Sequence, residues 1–358
     1  MTLPRARLKA SPEDFVVEEI PAYAASGAGE HVFVTIKKRG LTTAEAARRL
    51  ADALGVSVSQ VSWAGLKDKV AVTTQTLSIQ FPIAKDAEAP LRGAGDASLE
   101  ILDVRRHGNK LKPGHLEGNR FDVRLRELDD DGARAVEAAL LEIGRVGAPN
   151  FFGAQRFGHG GRNVDYAKDI LAGRARPPKD RRKGRLVFSA LQSELFNQVL
   201  DARLADGTWT TVIAGDLAKK EDTGGLFLVP SDAEALADAT LRAAERKISA
   251  TGPMFGAKMR WPEGAVLELE RRVLDGAGLD DAALDRARAL GEGTRRPLRI
   301  PVEALSVERE PGALRVRFTL PKGAYATTVL GRAAELDETR EVQGAESAEQ
   351  EADTADPS

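Results

Sequence analysis

Gly65-Leu66-Lys67-Asp68-Lys69-Val70-Ala71-Val72-Thr73-Thr74-Gln75 sets one carboxylate between two ammonium groups in a glycine-led turn. Strand-like patterns flank it at residues 61–64 and 72–79. Nearby cations favour the charged form of a carboxylate, and an ionised Asp can serve as nucleophile or base. The same pattern also describes a solvated hairpin turn, where charges are ordinary. Neighbouring side chains of an extended chain point to opposite faces. Lys67 and Lys69 therefore need not touch Asp68, and its partner can be a cation from elsewhere in the chain.

Outward from that turn the first 150 residues read as mixed α and β. Residues 15–20 and 31–37 have the composition of short strands. Thr42 and Glu45 form a capping-box pattern, Ala46, Leu50 and Leu54 follow at helical spacing, and Gly55 suits the stop. Residues 119–125 alternate, with Phe121, Val123 and Leu125 on one face and Asp122, Arg124 and Arg126 on the other. Val136, Leu140 and Ile143 mark an amphipathic helix.

From about residue 151 helical patterns take over down to about residue 290. Ser189 and Gln192 repeat the capping-box signature ahead of Leu191, Leu195 and Val199. Strand alternation returns at Leu314, Val316, Phe318 and Leu320. A late strand that joins the early sheet makes the middle an insertion, with residues 1–150 and 298–334 in one domain and 151–297 in another. Residues 335–358 hold nine acidic side chains against Arg340, a net −8, so residues 1–334 carry +6 within the chain's overall −2. So acidic a segment, with almost no large apolar residues, reads as a disordered tail.

Composition excludes several classes. The chain has 358 residues, 42% apolar and 30% charged, as in globular domains with real cores. No cysteine is present, which removes disulfides and thiolate metal sites and fits a cytoplasmic protein. His31, His107, His115 and His159 are not spaced as metal ligands, so no metal is expected. No apolar run has membrane-spanning length, and the N-terminus lacks a signal-peptide pattern. Gly158-His159-Gly160-Gly161 is neither a Walker A sequence nor a dinucleotide fingerprint.

Two further segments can carry binding. Arg7-Leu8-Lys9-Ala10-Ser11-Pro12-Glu13-Asp14-Phe15 sets a lysine near a strand that starts with an aromatic, or is a solvated terminus. The segment from Lys110 and Lys112 through His115 to Asn119 and Phe121 combines cations, a turn, an amide and an aromatic. It can read a base edge or feed a core strand. Arg174, Arg176, Lys179, Arg181, Arg182, Lys183 and Arg185 form a basic stretch able to meet RNA phosphates, or a solvated loop.

These segments, in their order, resemble the TruD family of tRNA pseudouridine synthases. The likeness rests on residues 7–15, Gly29-Glu30-His31, Trp63-Ala64-Gly65-Leu66-Lys67-Asp68-Lys69 and Gly118-Asn119-Arg120-Phe121. It continues in Pro149-Asn150-Phe151-Phe152-Gly153-Ala154-Gln155-Arg156-Phe157-Gly158, Leu191-Gln192-Ser193-Glu194-Leu195-Phe196-Asn197 and Leu320-Pro321-Lys322-Gly323-Ala324-Tyr325. The resemblance implies an α/β fold: a pseudouridine synthase catalytic domain with a mixed α+β sheet, interrupted by a family-specific, largely helical insertion, with the active-site cleft between them. It implies Asp68 as nucleophile and Lys9 as the cation beside it. Phe15, Asn119, Phe121 and Tyr325 become substrate contacts, with Tyr325 standing where relatives can carry Phe. It also implies a cofactor-free isomerisation of uridine at position 13, in the D arm of tRNA, by a cytoplasmic monomer with no protein partner. The competing classes are a non-catalytic RNA binder or chaperone and an Asp-nucleophile hydrolase of nucleosides. A binder has no use for a buried Asp68–Lys9 pair, and a nucleoside hydrolase has no use for the basic stretch.

Overall fold

Period-two alternation makes one face of a strand apolar, and such strands persist only where that face meets a core. In the computed structural model, which describes residues 2–338, they build two compact units, residues 2–144 with 302–338 and residues 145–301. Strands and helices are numbered along the whole chain. The first unit holds β1 (Arg5–Arg7), β2 (Phe15–Pro21), β3 (His31–Arg39), β4 (Val61–Trp63), β5 (Val72–Gln80), β6 (Leu99–His107) and β7 (Leu116–Arg126). It is completed by β14 (Glu303–Glu310), β15 (Ala313–Pro321) and β16 (Glu335–Asp337). The sheet runs β14-β15-β7-β2-β5-β3-β6, with β4 on β5 and β1 joining β7 to β16. Neighbours are antiparallel except for β2–β5 and β1–β16, so the sheet is mixed.

Register fixes which side chains share a face. Val17 lies opposite both Thr73 and Phe121, Thr73 opposite Lys38, and Phe121 opposite Phe318. One face thus carries Phe15, Val17, Glu19, Ile36, Lys38, Thr73, Gln75, Asn119, Phe121 and Phe318. Helix α1 (Thr43–Leu54) begins in the expected capping box, with the Glu45 amide donating to Thr42 Oγ1 at 3.0 Å and the Thr42 amide to Glu45 Oε2 at 2.7 Å. It ends at Gly55, left-handed at φ 64°. Its Ala46 and Leu50 share a core with Val34, Ile36, Leu77 and Ile79. The late strand β15 pairs with β7 along nine residues and so completes the early sheet.

The second unit holds α4 (Arg162–Leu171), α5 (Arg181–Ala205), α6 (Ala233–Ala244), α7 (Gly264–Gly276) and α8 (Asp281–Arg286). The same unit has a four-stranded sheet of β9 (Leu217–Lys220), β10 (Leu226–Leu228), β11 (Ile248–Met254) and β12 (Thr294–Pro297), in the order β10-β9-β11-β12. Its strands are short, and β11 is buried on both sides, all but Met254, so no alternation announces it. The unit divides from the first outside the expected 151–297 because β8 (Ala148–Pro149) pairs with β13 (Arg299–Ile300) and both belong to it.

Two sequence expectations are corrected. Ser189 and Gln192 do not start a helix; α5 begins eight residues earlier, with the Asp180 side chain accepting from the Arg182 amide at 2.8 Å. Ser189 instead donates to the Leu186 carbonyl and Gln192 to that of Phe255. The acidic tail does not begin at Glu335. Residues 335–337 are β16, with the Glu335 amide donating to the Pro4 carbonyl at 2.8 Å and the Leu8 amide to that of Asp337 at 3.0 Å. The rest of the expected tail, residues 339–358, lies outside the described residues. A chain ending at Ala334 should melt roughly 2–4 °C below one ending at Glu338, the size expected for about 1 kcal/mol. Equal melting temperatures by calorimetry would show that β16 contributes nothing.

Candidate active site

The segment between β4 and β5 crosses the face just described, and its burial alternates: Leu66 is exposed, Lys67 buried and Asp68 half-buried. Lys67 is held at three points. Its amide donates to Thr43 Oγ1 at 3.0 Å, its ammonium to Glu19 Oε2 at 2.6 Å, and its carbonyl accepts from Lys38 Nζ at 3.0 Å. Lys38, fully buried, also donates to the carbonyls of Asp68 at 2.9 Å and Leu41 at 2.6 Å. Thr43 in turn donates to Gln75 Oε1 at 3.0 Å, while Gln75 reaches the Gly65 carbonyl. The other Glu19 oxygen accepts from the Thr76 amide at 3.3 Å. Lys69 points away, towards Glu45 at 3.9 Å.

The cation nearest Asp68 comes from far along the sequence. Lys9 Nζ lies 3.3 Å from Asp68 Oδ2, the lysine side chain 1% and the aspartate side chain 37% exposed. A lysine so buried needs its counter-charge, whereas the carboxylate keeps one side open to an incoming molecule. Lys9 has φ 55°, a left-handed conformation sparsely used by residues other than Gly, Asn and Asp. Its ammonium sits 4.7 Å from the centre of the Phe15 ring. Aromatic face and carboxylate thus flank the same charge.

The other expected contacts are distributed unequally. Phe15 and Phe121 are buried and meet edge to face at 6.1 Å, and Phe121 stacks on Phe318 at 5.2 Å. The two rings form an aromatic wall behind Lys9. Asn119 lies on the same face, opposite Glu19 on β2 and Leu320 on β15. Its Oδ1 is buried with no hydrogen-bond partner among the described residues. Tyr325 stands at the N-cap position of the short helix α9 (Ala326–Leu330) and is 41% exposed. Its turn is tied down by the Lys322 amide on the Glu117 carbonyl at 2.9 Å and by Lys322 Nζ on that of Gly114 at 3.2 Å. No hydrogen bond joins Asn119 or Tyr325 to Asp68 among the described residues.

Arg174, Arg176, Lys179, Arg181, Arg182, Lys183 and Arg185 are all exposed and belong to the second unit. The first three lie between α4 and α5, where Arg174 pairs with Asp169, and the rest on the first turns of α5. Among the described residues no group of three His, Cys, Asp or Glu side chains could hold a metal, and no helix is long and apolar enough to cross a membrane.

Sequence reasoning missed Lys38, Glu19, Thr43 and Gln75. A signal for two of them exists. Lys38 continues the phase of Val32, Val34 and Ile36, and Glu19 that of Phe15 and Val17. A charge in the apolar phase of a strand needs an internal partner.

The mixed sheet has the architecture of a pseudouridine synthase. A solved structure from Methanosarcina mazei, assigned to tRNA pseudouridine synthase D (TruD), matches 93% of this chain and 94% of that one with a TM-score of 0.74; at 24% identity this speaks for the fold. The chain belongs to the tRNA pseudouridine synthase D (TruD) family, whose model matches residues 5–176 and 180–333. Relatives described as tRNA pseudouridine synthase D include one from Anaeromyxobacter sp. strain Fw109-5, 46% identical across 90% of each chain. Another, from Thermus thermophilus, is 41% identical over 90% of this chain and 87% of its own.

Lys38→Met removes the donor for three carbonyls and should destabilise the protein by about 2–5 kcal/mol, since each buried unsatisfied group costs about 1–3 kcal/mol. Exposed Lys37→Met should stay within about 0.5 kcal/mol of the parent. Equal urea midpoints for the two variants would remove Lys38 from this role.

Proposed function

We propose that this chain isomerises uridine to pseudouridine in tRNA, at position 13 in the D arm, with Asp68 as the nucleophile and no cofactor. The observation that carries the assignment is a half-exposed carboxylate on a tightly anchored loop, with a buried ammonium 3.3 Å behind it. Membership of the tRNA pseudouridine synthase D family supports the substrate class. The isomerisation balances within the nucleotide. The C1′–N1 bond breaks, the uracil turns, a C1′–C5 bond forms, and the C5 proton is exchanged for one at N1. No electrons enter or leave, and no phosphate is consumed.

Asp68 acts in its ionised form, by attack at C1′, by attack at the base, or by taking a proton from the ribose. Lys9 sets a positive charge 3.3 Å from that carboxylate. Asn119, with an unpaired Oδ1, orients the uracil, and Tyr325 offers an exposed ring for stacking. Phe15 and Phe121 support Lys9 from behind. The target uridine must leave its stack, at a cost of a few kcal/mol, offset by stacking and by phosphate contacts. The basic stretch at residues 174–185 supplies such contacts. All these groups lie on one chain, so a monomer is the acting unit, working in the cytoplasm where tRNA matures.

Asp68→Asn preserves shape and removes the anion. Pseudouridine mapped in unmodified tRNA, incubated without ATP or metal, should fall from a full yield with the parent to background with the variant. Binding of tRNA should change less than about threefold, because the substitution removes one charge that makes no phosphate contact. Activity within tenfold of the parent would remove Asp68 from the nucleophile's role.

A further inference from the structure

Three of the four histidines gather at one end of the sheet, around an exposed tyrosine. Tyr23, 37% exposed, follows β2. Its ring stacks on His107 with centres 5.3 Å apart and planes inclined by 22°, and its hydroxyl is 2.7 Å from His115 Nδ1. His107 is itself fixed. Phe33 packs against it at 4.6 Å, its Nδ1 accepts from the Ser26 amide at 3.1 Å, and His31 is its partner across β3 and β6. The Gly27 amide donates to the Arg106 carbonyl at 2.9 Å, and a Cβ at Gly29 would meet the His107 carbonyl at 2.3 Å. The segment bearing Tyr23 is thus clamped before any ligand arrives.

A tyrosine used only for packing is buried, whereas Tyr23 is held by His107 and His115 and is still exposed. Exposed Lys110 and Lys112 belong to the segment between His107 and His115, and neither pairs with a carboxylate among the described residues. A fixed aromatic face beside free ammonium groups is the combination that binds single-stranded nucleic acid: the base stacks and the phosphate meets the cation. The cluster also connects to the candidate active site. Gly114, next to His115, donates its amide to the Ala64 carbonyl at 2.8 Å and accepts from Lys322 Nζ at 3.2 Å. Ala64 opens the segment that carries Asp68, four residues on, at most about 14 Å of extended chain. Lys322 belongs to the turn that carries Tyr325.

We infer that Tyr23, braced by His107 and His115, is a second nucleobase subsite, which stacks a base flanking the target uridine while Lys110 and Lys112 hold its phosphates. The inference rests on the proposed tRNA reaction for the identity of the RNA, and it adds a contact outside the reacting nucleotide. Holding a neighbour in place lets binding energy keep the target uridine out of its stack.

The test uses the full chain, unmodified tRNA, and tRNAs with one abasic ribose at successive positions beside the target uridine. Affinity is read by fluorescence anisotropy and pseudouridine by mapping. In the parent, one abasic position should weaken binding about tenfold, and Tyr23→Ala should weaken binding of intact tRNA by about the same factor. Combining variant and abasic site should cost no more than either alone, and Tyr23→Phe should stay within about twofold of the parent. Lys110→Gln with Lys112→Gln provides a readout independent of the ring and should lower the salt dependence of binding by about two phosphate contacts. Parent-like binding by Tyr23→Ala, additive losses, or an unchanged salt slope would overturn the subsite. A parent that shows the abasic effect but forms no pseudouridine would support the subsite and refute the proposed reaction.

Discussion

A buried ammonium group must find its acceptors inside the protein, and Lys38 finds them in the carbonyls of Leu41, Lys67 and Asp68. That requirement joins three pieces of chain: the end of β3, the entry to α1 and the segment ahead of β5. It holds the peptide that precedes Asp68 and the one that follows it. Thr43, on the first turn of α1, takes the Lys67 amide, and Glu19 on β2 takes the Lys67 ammonium. Glu19 and Lys67 are a buried ion pair, so separating them would strand a charge in the core, typically at about 3–5 kcal/mol. The loop therefore has little freedom, although it contains a glycine and no regular structure.

Rigidity of this kind serves chemistry that depends on placement. A nucleophile held within a few tenths of an ångström gains from orientation, and anchors on strands and helices hold it better than anchors on other loops. Alternation along the loop separates the tasks. Lys67 faces inward and anchors, while Asp68 faces outward towards Lys9 with one side open. Lys9 takes a left-handed backbone conformation two residues past the end of β1, and the Leu8 amide before it is fixed by the Asp337 carbonyl. Strain at Lys9 is thus held by pairing between the two ends of the described chain.

Much of this organisation was legible in the sequence because it follows from local rules. The capping box at Thr42, the stop at Gly55 and the alternation through Phe121, Val123 and Leu125 have direct counterparts in α1 and β7. The return of strand pattern at Leu314–Leu320 has its counterpart in β15, which pairs with β7 in the early sheet. What escaped depends on three-dimensional partners. The sheet of the second unit shows no alternation, and a buried Ser-x-x-Gln inside α5 looks like a cap until its partners are seen. Asp68 stands out both in its charged turn and by motif resemblance, Lys9 by resemblance, and only geometry shows that Lys67 and Lys69 turn to Glu19 and Glu45 instead. Lys38 and Glu19 were readable in principle, as charges in the apolar phase of their strands.

The proposal that buried Lys9 serves Asp68 in its reaction is tested most directly by single-turnover rates with saturating tRNA. Lys9→Met keeps most of the side chain's bulk and removes the cation 3.3 Å from the carboxylate. Its rate should fall roughly a hundredfold, with tRNA affinity within about threefold of the parent, because the placement of a reacting group is lost. Lys9→Arg should retain more activity than Lys9→Met, within the limits of fitting a guanidinium into that space. A Lys9→Met variant with the parent's rate would contradict the account and leave Lys9 as no more than a buried structural charge.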